Sequence, residues 1–165
     1  MIEHDEHTWA SYSHAYGPAT DIPSLLEDAR HAPADRAFGS APWHELWSAL
    51  CHQESIYPAS FRALPELVNI ATSSSGVKQS EALLLAAAIE VCSHDAQAPS
   101  VPPELQLSVA TARRDALTLL RATSPPVSPL QARIHAIATA AFGGDLATAR
   151  SLLDQDDGAL PMGPA

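Results

Sequence analysis

A cluster of side chains able to move protons or bind a ligand lies at residues 52–57. It contains His52, Gln53, Glu54 and Tyr57. Imidazole titrates near neutral pH, so His52 beside a carboxylate can act as a general acid or base. In a helix corner, by contrast, His52 and Gln53 would bond the unpaired carbonyls of a helix end, and Tyr57 would pack between helices. We interpret the cluster as such a corner and keep a pocket near His52, Glu54 and Tyr57 as the alternative.

Two other groupings contain metal-binding residue types. His44-Glu45 begins the zinc-protease pattern HExxH, but Ser48 stands where the second histidine is required. The N-terminal residues form a tract of a kind that binds divalent ions loosely: His4, Asp5, Glu6, His7 and His14. A specific metal site needs fixed geometry, which a loose arm lacks. We therefore predict neither a metal nor any other cofactor.

The common signatures of enzymes are absent from the sequence. Neither GxGxxG nor GxxxxGK[ST] occurs, so no glycine-rich phosphate loop is indicated. GxSxG and a recognisable Cys-His-Asp spacing are also missing. We therefore expect a protein that is not an enzyme and has no catalytic residue.

The charge balance bears on the class of partner. The chain has 19 acidic and 9 basic residues, a formal charge of −10, and Lys78 is its only lysine. Affinity for nucleic acid comes largely from Lys and Arg contacts to phosphate, so we expect no nucleic-acid partner. A basic protein would be attracted by the same field. The nucleic-acid alternative would require a segregated stripe of arginines, namely Arg113, Arg114, Arg121 and Arg133.

Composition favours helices in a water-soluble chain. Apolar residues make up 46% of the sequence but aromatic residues only 5%, so Ala and Leu must provide most of the packing. The longest apolar run, 82–89, is too short to span a bilayer, and no basic-apolar leader is seen. We expect a cytoplasmic protein with no membrane partner.

Cys51 and Cys92 lie in apolar helical patterns; we expect buried, reduced thiols, with a disulfide as the open alternative.

Apolar residues recur at helical spacing through most of the chain. The predicted helices cover 22–31, from after Ser40 to about 51–53, 58 to about 72, 77–94, 103–122, 128–142 and 145–153. Asp21 and Asp145 are predicted N-caps, and Pro65 is predicted to kink or split the third helix. The fourth helix is apolar nearly all round, so it should occupy the centre of the domain.

No segment alternates with a period of two, so the predicted fold class is all-α. Six to seven helices joined by short corners would form antiparallel helix pairs stacked as a short HEAT-like α-solenoid. Residues 1–19 are predicted to be a flexible or irregular arm, 20–155 a single helical repeat domain, and 156–165 a frayed tail.

The stretch WHELWSALCHQESIYPASFRALPELVNIA, residues 43–71, resembles a pattern of bacterial HEAT-like helical-repeat proteins. In that pattern a Trp-containing helix ends in His-Gln-Gly, and a Tyr-x-Ala-Ser helix with an internal proline and a leucine follows. The matching residues are Trp43, Trp47, His52, Gln53, Tyr57, Ala59, Ser60, Pro65 and Leu67. Glu54 departs from it, because the pattern has glycine there. The resemblance implies a HEAT-like fold and, as for some members of the family, a role as a toxin-immunity protein.

These observations together predict a non-catalytic protein–protein interaction module. Its sharpest form is an immunity-type protein that binds and neutralises a basic bacterial toxin such as a nuclease. The alternative is a small-molecule binder or enzyme. The oligomeric state stays open. The candidate partner-binding residues, chosen by charge and corner position, are Glu45, His52, Gln53, Glu54, Tyr57, Glu66 and Asp95.

Overall fold

The computed structural model of the protein describes residues 8–124, 126 and 128–155. Seven α-helices lie wholly within these residues, and the predicted all-α class is confirmed. They are α1 (Ile22–His31), α2 (Trp43–Leu50), α3 (Pro58–Thr72), α4 (Gly76–Cys92), α5 (Gln106–Ala122), α6 (Pro129–Phe142) and α7 (Leu146–Leu153). A single 3-10 turn, Pro103–Leu105, leads into α5.

The helix bounds follow the apolar periodicity to within a few residues, with one correction at Pro65. A split at Leu64-Pro65 is wrong, because α3 runs unbroken through the proline. Proline removes one backbone N–H, so the Phe61 carbonyl loses its usual helical donor. Leu64 and Leu67 are fully buried on either side of it. Packing on both halves of α3 therefore keeps the helix continuous.

Helix α4 is the centre of the domain, as predicted. Every residue from 80 to 92 is buried, including two glutamates. The helix packs against α3 and α6 most extensively, and also against α2 and α7. Because it is covered on every side, α4 fixes where its neighbours must lie.

Helices pack on their next-but-one neighbours as well as on consecutive ones. The consecutive contacts are α1–α2, α3–α4, α5–α6 and α6–α7. The next-but-one contacts are α1–α3, α2–α4, α3–α5 and α4–α6. Helices α1, α3 and α5 thus form one series of contacts, and helices α2, α4 and α6 form a second.

Two antiparallel hairpins, each made of two-residue strands, interrupt the helices. The first pairs β1 (Ser13–His14) with β2 (Gly17–Pro18), and the second pairs β3 (Cys51–His52) with β4 (Ser55–Ile56). No strand was predicted, because strands of two residues are too short to show an alternating pattern. The second hairpin forms the corner between α2 and α3.

The described part of the N-terminal arm, residues 8–19, packs on the helices. Trp9 is only 1% exposed and lies under the Arg62 guanidinium, 5.0 Å from the ring centroid. The Tyr12 hydroxyl donates a 2.8 Å hydrogen bond to Glu104. Two buried aromatic side chains thus hold the segment on α3 and the start of α5. His4, Asp5, Glu6 and His7 lie outside the described residues, as does the predicted frayed tail, 156–165.

The corner between α2 and α3 is closed by the hydroxyl group of Ser60. This side chain is fully buried; it donates to the Leu50 carbonyl at 2.6 Å and accepts the Tyr57 N–H at 2.9 Å. The prediction that His52 and Gln53 bond the helix-end carbonyls is wrong for Leu50, because Ser60 fills that role. One hydroxyl thereby joins the end of α2 to the start of α3.

A second buried polar contact fixes the loop between α1 and α2. Glu81 on α4 is 3% exposed, and its carboxylate accepts the backbone N–H of Gly39. Burial raises the pKa of Glu81 to about 7, although the bond from Gly39 opposes this. A carboxyl group with a raised folded-state pKa binds more protons when folded. Its contribution to stability is therefore present at low pH and is lost as pH rises through about 7.

We predict that Ser60→Ala lowers the free energy of unfolding by about 1–3 kcal/mol, because the Leu50 carbonyl and the Tyr57 N–H lose their buried partner. Urea denaturation followed by circular dichroism measures this change. Ser55→Ala is the matched control, since Ser55 is an exposed serine of the same hairpin; it should stay within about 0.5 kcal/mol of wild type. Equal effects of the two variants would contradict the bridging role.

We predict that Glu81→Gln makes stability less dependent on pH. Between about pH 5 and pH 8 the wild-type free energy of unfolding should fall by at least about 1 kcal/mol more than that of the variant, because one unit of pKa shift corresponds to about 1.4 kcal/mol. Urea denaturation at several pH values measures both curves. Parallel curves would mean that Glu81 titrates alike in the folded and unfolded chains.

Candidate functional site

The three residues of the predicted pocket do not converge. The His52 ring faces Tyr16, with ring centroids 5.7 Å apart. Glu54 lines a separate small cleft with Arg150, while Tyr57 is the N-cap of α3. Burial raises the pKa of the Tyr57 hydroxyl, with the nearby Cys51 and Tyr16 adding to the rise. In the described part of the chain, no hydrogen bond joins the side chains of His52, Glu54 and Tyr57 to one another.

The turn between β3 and β4 shows what backbone geometry is required at Glu54, where the HEAT-like pattern has glycine. Gln53 has φ +48° and Glu54 has φ +64°, so both central residues of the hairpin are left-handed. Two-residue hairpins favour this arrangement, and glycine or asparagine usually fills it because a Cβ is strained there. Glu54 therefore occupies a position where glycine would be the easier residue. Both side chains are exposed at the tip of the turn.

His52 instead belongs to a polar cluster that spans both hairpins. The Tyr16 hydroxyl lies 2.5 Å from the Ser48 Oγ and 3.3 Å from the His52 Nδ1. The Tyr16 N–H donates to the Nδ1 of buried His14 at 3.0 Å, and the His14 Nε2 lies 2.8 Å from Asp21. Because Nδ1 accepts, Nε2 must carry the hydrogen and donate it to the Asp21 carboxylate. Asp21 thus holds His14 and makes no side-chain cap on α1, which corrects the predicted capping role.

A cleft of about 410 Å³ lies beside this cluster. Tyr16, Asp21, His44, Glu45 and Ser48 contribute polar groups to its wall. The cleft thus brings together His44 and Glu45, which the sequence places in an incomplete zinc motif. It offers hydroxyl, imidazole and carboxylate groups to a small polar ligand. The signal missed in the sequence is His14-Ala15-Tyr16-Gly17, whose role depends on a hairpin too short to predict.

The four acidic candidates divide into paired and unpaired carboxylates. Glu66 forms ion pairs with Arg30 and, at 3.8 Å, with Arg62. Asp95 pairs with Arg150 at 2.7 Å. Glu45 and Glu54 are exposed and form no ion pair with any described residue. Two of the four candidates are therefore already neutralised within the chain.

A broad groove of about 800 Å³ lies between α3 and α5. Pro65 and Val68 form one wall, and Leu107 and Leu119 form the other. Leu107 is 78% exposed, which is unusual for a leucine on a helix beside a cleft. The groove is thus an apolar surface open to solvent.

The charged residues that line the groove are both acidic. Glu104 and Asp115 line it, and no described lining residue is basic. The pKa of Glu104 lies below its usual value, because its own backbone N–H and the Tyr12 hydroxyl donate to its carboxylate. Glu104, in the 3-10 turn, and the groove residues of α5 recur at helical spacing, so the stripe was readable as a second helix face: Glu104, Leu107, Ser108, Thr111, Ala112, Asp115, Thr118, Leu119 and Ala122.

The arginines proposed as a nucleic-acid stripe make separate local contacts. Arg113 pairs with buried Glu90 at 2.8 Å. Arg133 donates to the carbonyls of Leu152 and Gln155 at 2.8 and 2.6 Å, and Arg114 donates to Thr111 at 3.2 Å. Two of the four cations are thus engaged in holding helices together.

No group of three or more potential metal ligands occurs within the described ranges. None of the helices described is both long and apolar enough to cross a bilayer. In comparisons with known proteins, no family model, no curated protein and no solved structure matches the chain.

We predict that Glu54→Gly raises the free energy of unfolding by about 1 kcal/mol relative to Glu54→Ala, because only glycine relieves the left-handed backbone. Both variants remove the same carboxylate, so their difference isolates the backbone effect. Thermal and urea denaturation of the pair give the measurement. An alanine variant as stable as the glycine variant would contradict the strain at this position.

Proposed function

We propose that the chain is a non-catalytic protein-binding module, built as a short HEAT-like α-solenoid, that acts in the cytoplasm. The next-but-one packing of α1 on α3 and of α3 on α5, with α2 on α4 and α4 on α6, supports the repeat arrangement. Stacked antiparallel helix pairs produce such contacts, since equivalent helices of successive pairs touch. The resemblance of residues 43–71 to HEAT-like proteins adds to this support.

The observation that carries the proposal is the exposed apolar groove between α3 and α5. Its α5 wall holds Leu107 at 78% exposure, and apolar surface of this kind is typical of sites that bind another molecule. A groove between two helices suits an amphipathic helix laid along it. We therefore assign the groove as the contact surface, in place of the internally paired Glu66 and Asp95.

The partner we propose is a basic protein that presents an apolar helix flanked by Lys or Arg. Glu104 and Asp115 would meet those cations at the groove edge, and the net charge of −10 would steer the approach. An immunity-type role, in which the chain covers a basic toxin, fits this charge and the family resemblance. Such binding should weaken in high salt, because the attraction between exposed charges is screened.

A second candidate function rests on the polar cluster at the two hairpins. The Tyr16 hydroxyl bridges Ser48 and His52 beside the 410 Å³ cleft, and this arrangement suits a small polar molecule. The cluster replaces the pocket expected near His52, Glu54 and Tyr57. It ranks below the groove because Ser48 and His52 are already satisfied by Tyr16.

We predict that Leu107→Ser weakens capture of a basic protein about tenfold or more, because a leucine side chain contributes about 1.5–3 kcal/mol when buried. Tagged wild-type chain and variant are incubated with lysate of the native cell at low and high salt, and retained proteins are identified by mass spectrometry. Affinity for the purified partner is then measured. Asp115→Asn should leave binding in place but reduce its salt dependence.

Tyr16→Phe is the control, because it alters the hairpin cluster and leaves the groove intact. It should bind the partner as wild type does. If Tyr16→Phe fails to retain the partner but Leu107→Ser retains it, the binding site is the cleft and not the groove. Retention only of acidic proteins, or of none, would overturn the proposal. The immunity-type role is tested separately by co-expression, which should restore growth to cells that produce the captured protein.

A further inference from the structure

Two cysteines far apart in the sequence meet in the structure. Cys51 begins β3 at the end of α2, and Cys92 is the last residue of α4. Packing of α4 against α2 and β3 places both cysteine side chains in the wall of one small cleft. Both are free and buried, at 5% and 4% exposure, which confirms the prediction that the two side chains are buried.

The thiol pair is buried but lines a cleft. Cys51 and Cys92 share a space of about 70 Å³ with Gln53, Glu54 and Arg150. A water molecule takes up about 30 Å³ in the liquid, so the space has room for one or two molecules of that size. A hydrogen peroxide molecule is small enough to enter, whereas a protein oxidant is not.

The two thiols differ in their electrostatic surroundings. The Arg150 guanidinium lines the same cleft as the two thiols and is held by Asp95 at 2.7 Å. The hydrogen bond from Cys51 and the positive charge of Arg150 lower the pKa of Cys92. Hydrogen bonding to Cys92 and burial both raise the pKa of Cys51. Cys92 is therefore the better nucleophile, and Cys51 is positioned to react second.

We propose that Cys51 and Cys92 form a redox-active dithiol that a small peroxide converts to a disulfide. The Cys92 thiolate attacks one peroxide oxygen and the O–O bond breaks; the leaving hydroxide takes up a proton to become water, and Cys92 becomes a sulfenic acid. The Cys51 sulfur then attacks the Cys92 sulfur, and the S–O bond breaks. The hydroxyl leaves as water with the Cys51 proton. Two thiols lose two electrons in all, and one peroxide is reduced to two waters.

This dithiol does not depend on the proposed binding function. The disulfide would link the α2–α3 corner to the end of α4 and close a loop that contains all of α3. Cross-linking of a long loop restricts the unfolded chain, so the oxidised protein should be the more stable form. We expect its melting temperature to rise by several degrees.

The test treats the purified, reduced full chain with hydrogen peroxide and follows intact mass. The expected result is a loss of two hydrogens, the disappearance of both free thiols on denaturation, and a 51–92 linked peptide after digestion. In Cys51→Ser the reaction should stop at the sulfenic acid on Cys92, which dimedone traps. In Cys92→Ser, Cys51 should stay reduced at the same peroxide dose.

Arg150→Gln should slow oxidation several-fold, because it removes the nearby positive charge; Arg114→Gln, a change at an exposed arginine on α5, should not. Wild-type chain that keeps both thiols, or that forms only disulfides between molecules, would overturn the proposal. This outcome is read on the wild type alone, so it stands even if a cysteine variant fails to fold.

Discussion

The burial of α4 on every side is the constraint on which the rest of the structure depends. A helix whose residues 80–92 are all buried must be covered by several neighbours at once, and α2, α3, α6 and α7 do this. Many of its residues are alanine or leucine, and small side chains let the helix axes approach closely. The low aromatic content is therefore no defect of the core but the condition for packing this many helices around one.

Sequence periodicity was a good guide to the helices and a poor one to their corners. A helix such as α5 repeats its buried face over several turns, so Val109, Ala112 and Ala116 identify it without ambiguity. The corner at 51–56 contains two residues per strand and offers no repeat. Its closure depends on one serine hydroxyl and on two left-handed residues, features that composition does not reveal.

The candidate sites also combine features that the sequence indicated with features that only the fold brings together. Cys51 and Cys92 were readable as buried residues, but their contact depends on the packing of α2 and β3 on α4. The cluster of Tyr16, Ser48 and His52 joins elements that are more than thirty residues apart in the chain, so nothing in the local sequence indicated it. The groove stripe on α5 was different. The spacing of its residues was visible in the sequence, but their exposure arises because no helix among the described residues covers that face.

Several of the few basic residues join neighbouring elements of the chain. Lys78 donates to the Arg30 and Ala32 carbonyls at the end of α1. The arginine pairs join neighbouring elements: Arg30 with Glu66, Arg113 with Glu90, and Arg150 with Asp95. Each such pair cancels one acidic charge locally, but it leaves the excess of ten negative charges on other carboxylates. Exposed carboxylates such as Glu45 and Asp115 contribute to the negative field outside the protein. The same ion pairs that hold the helices together thus leave the excess of negative charge uncompensated.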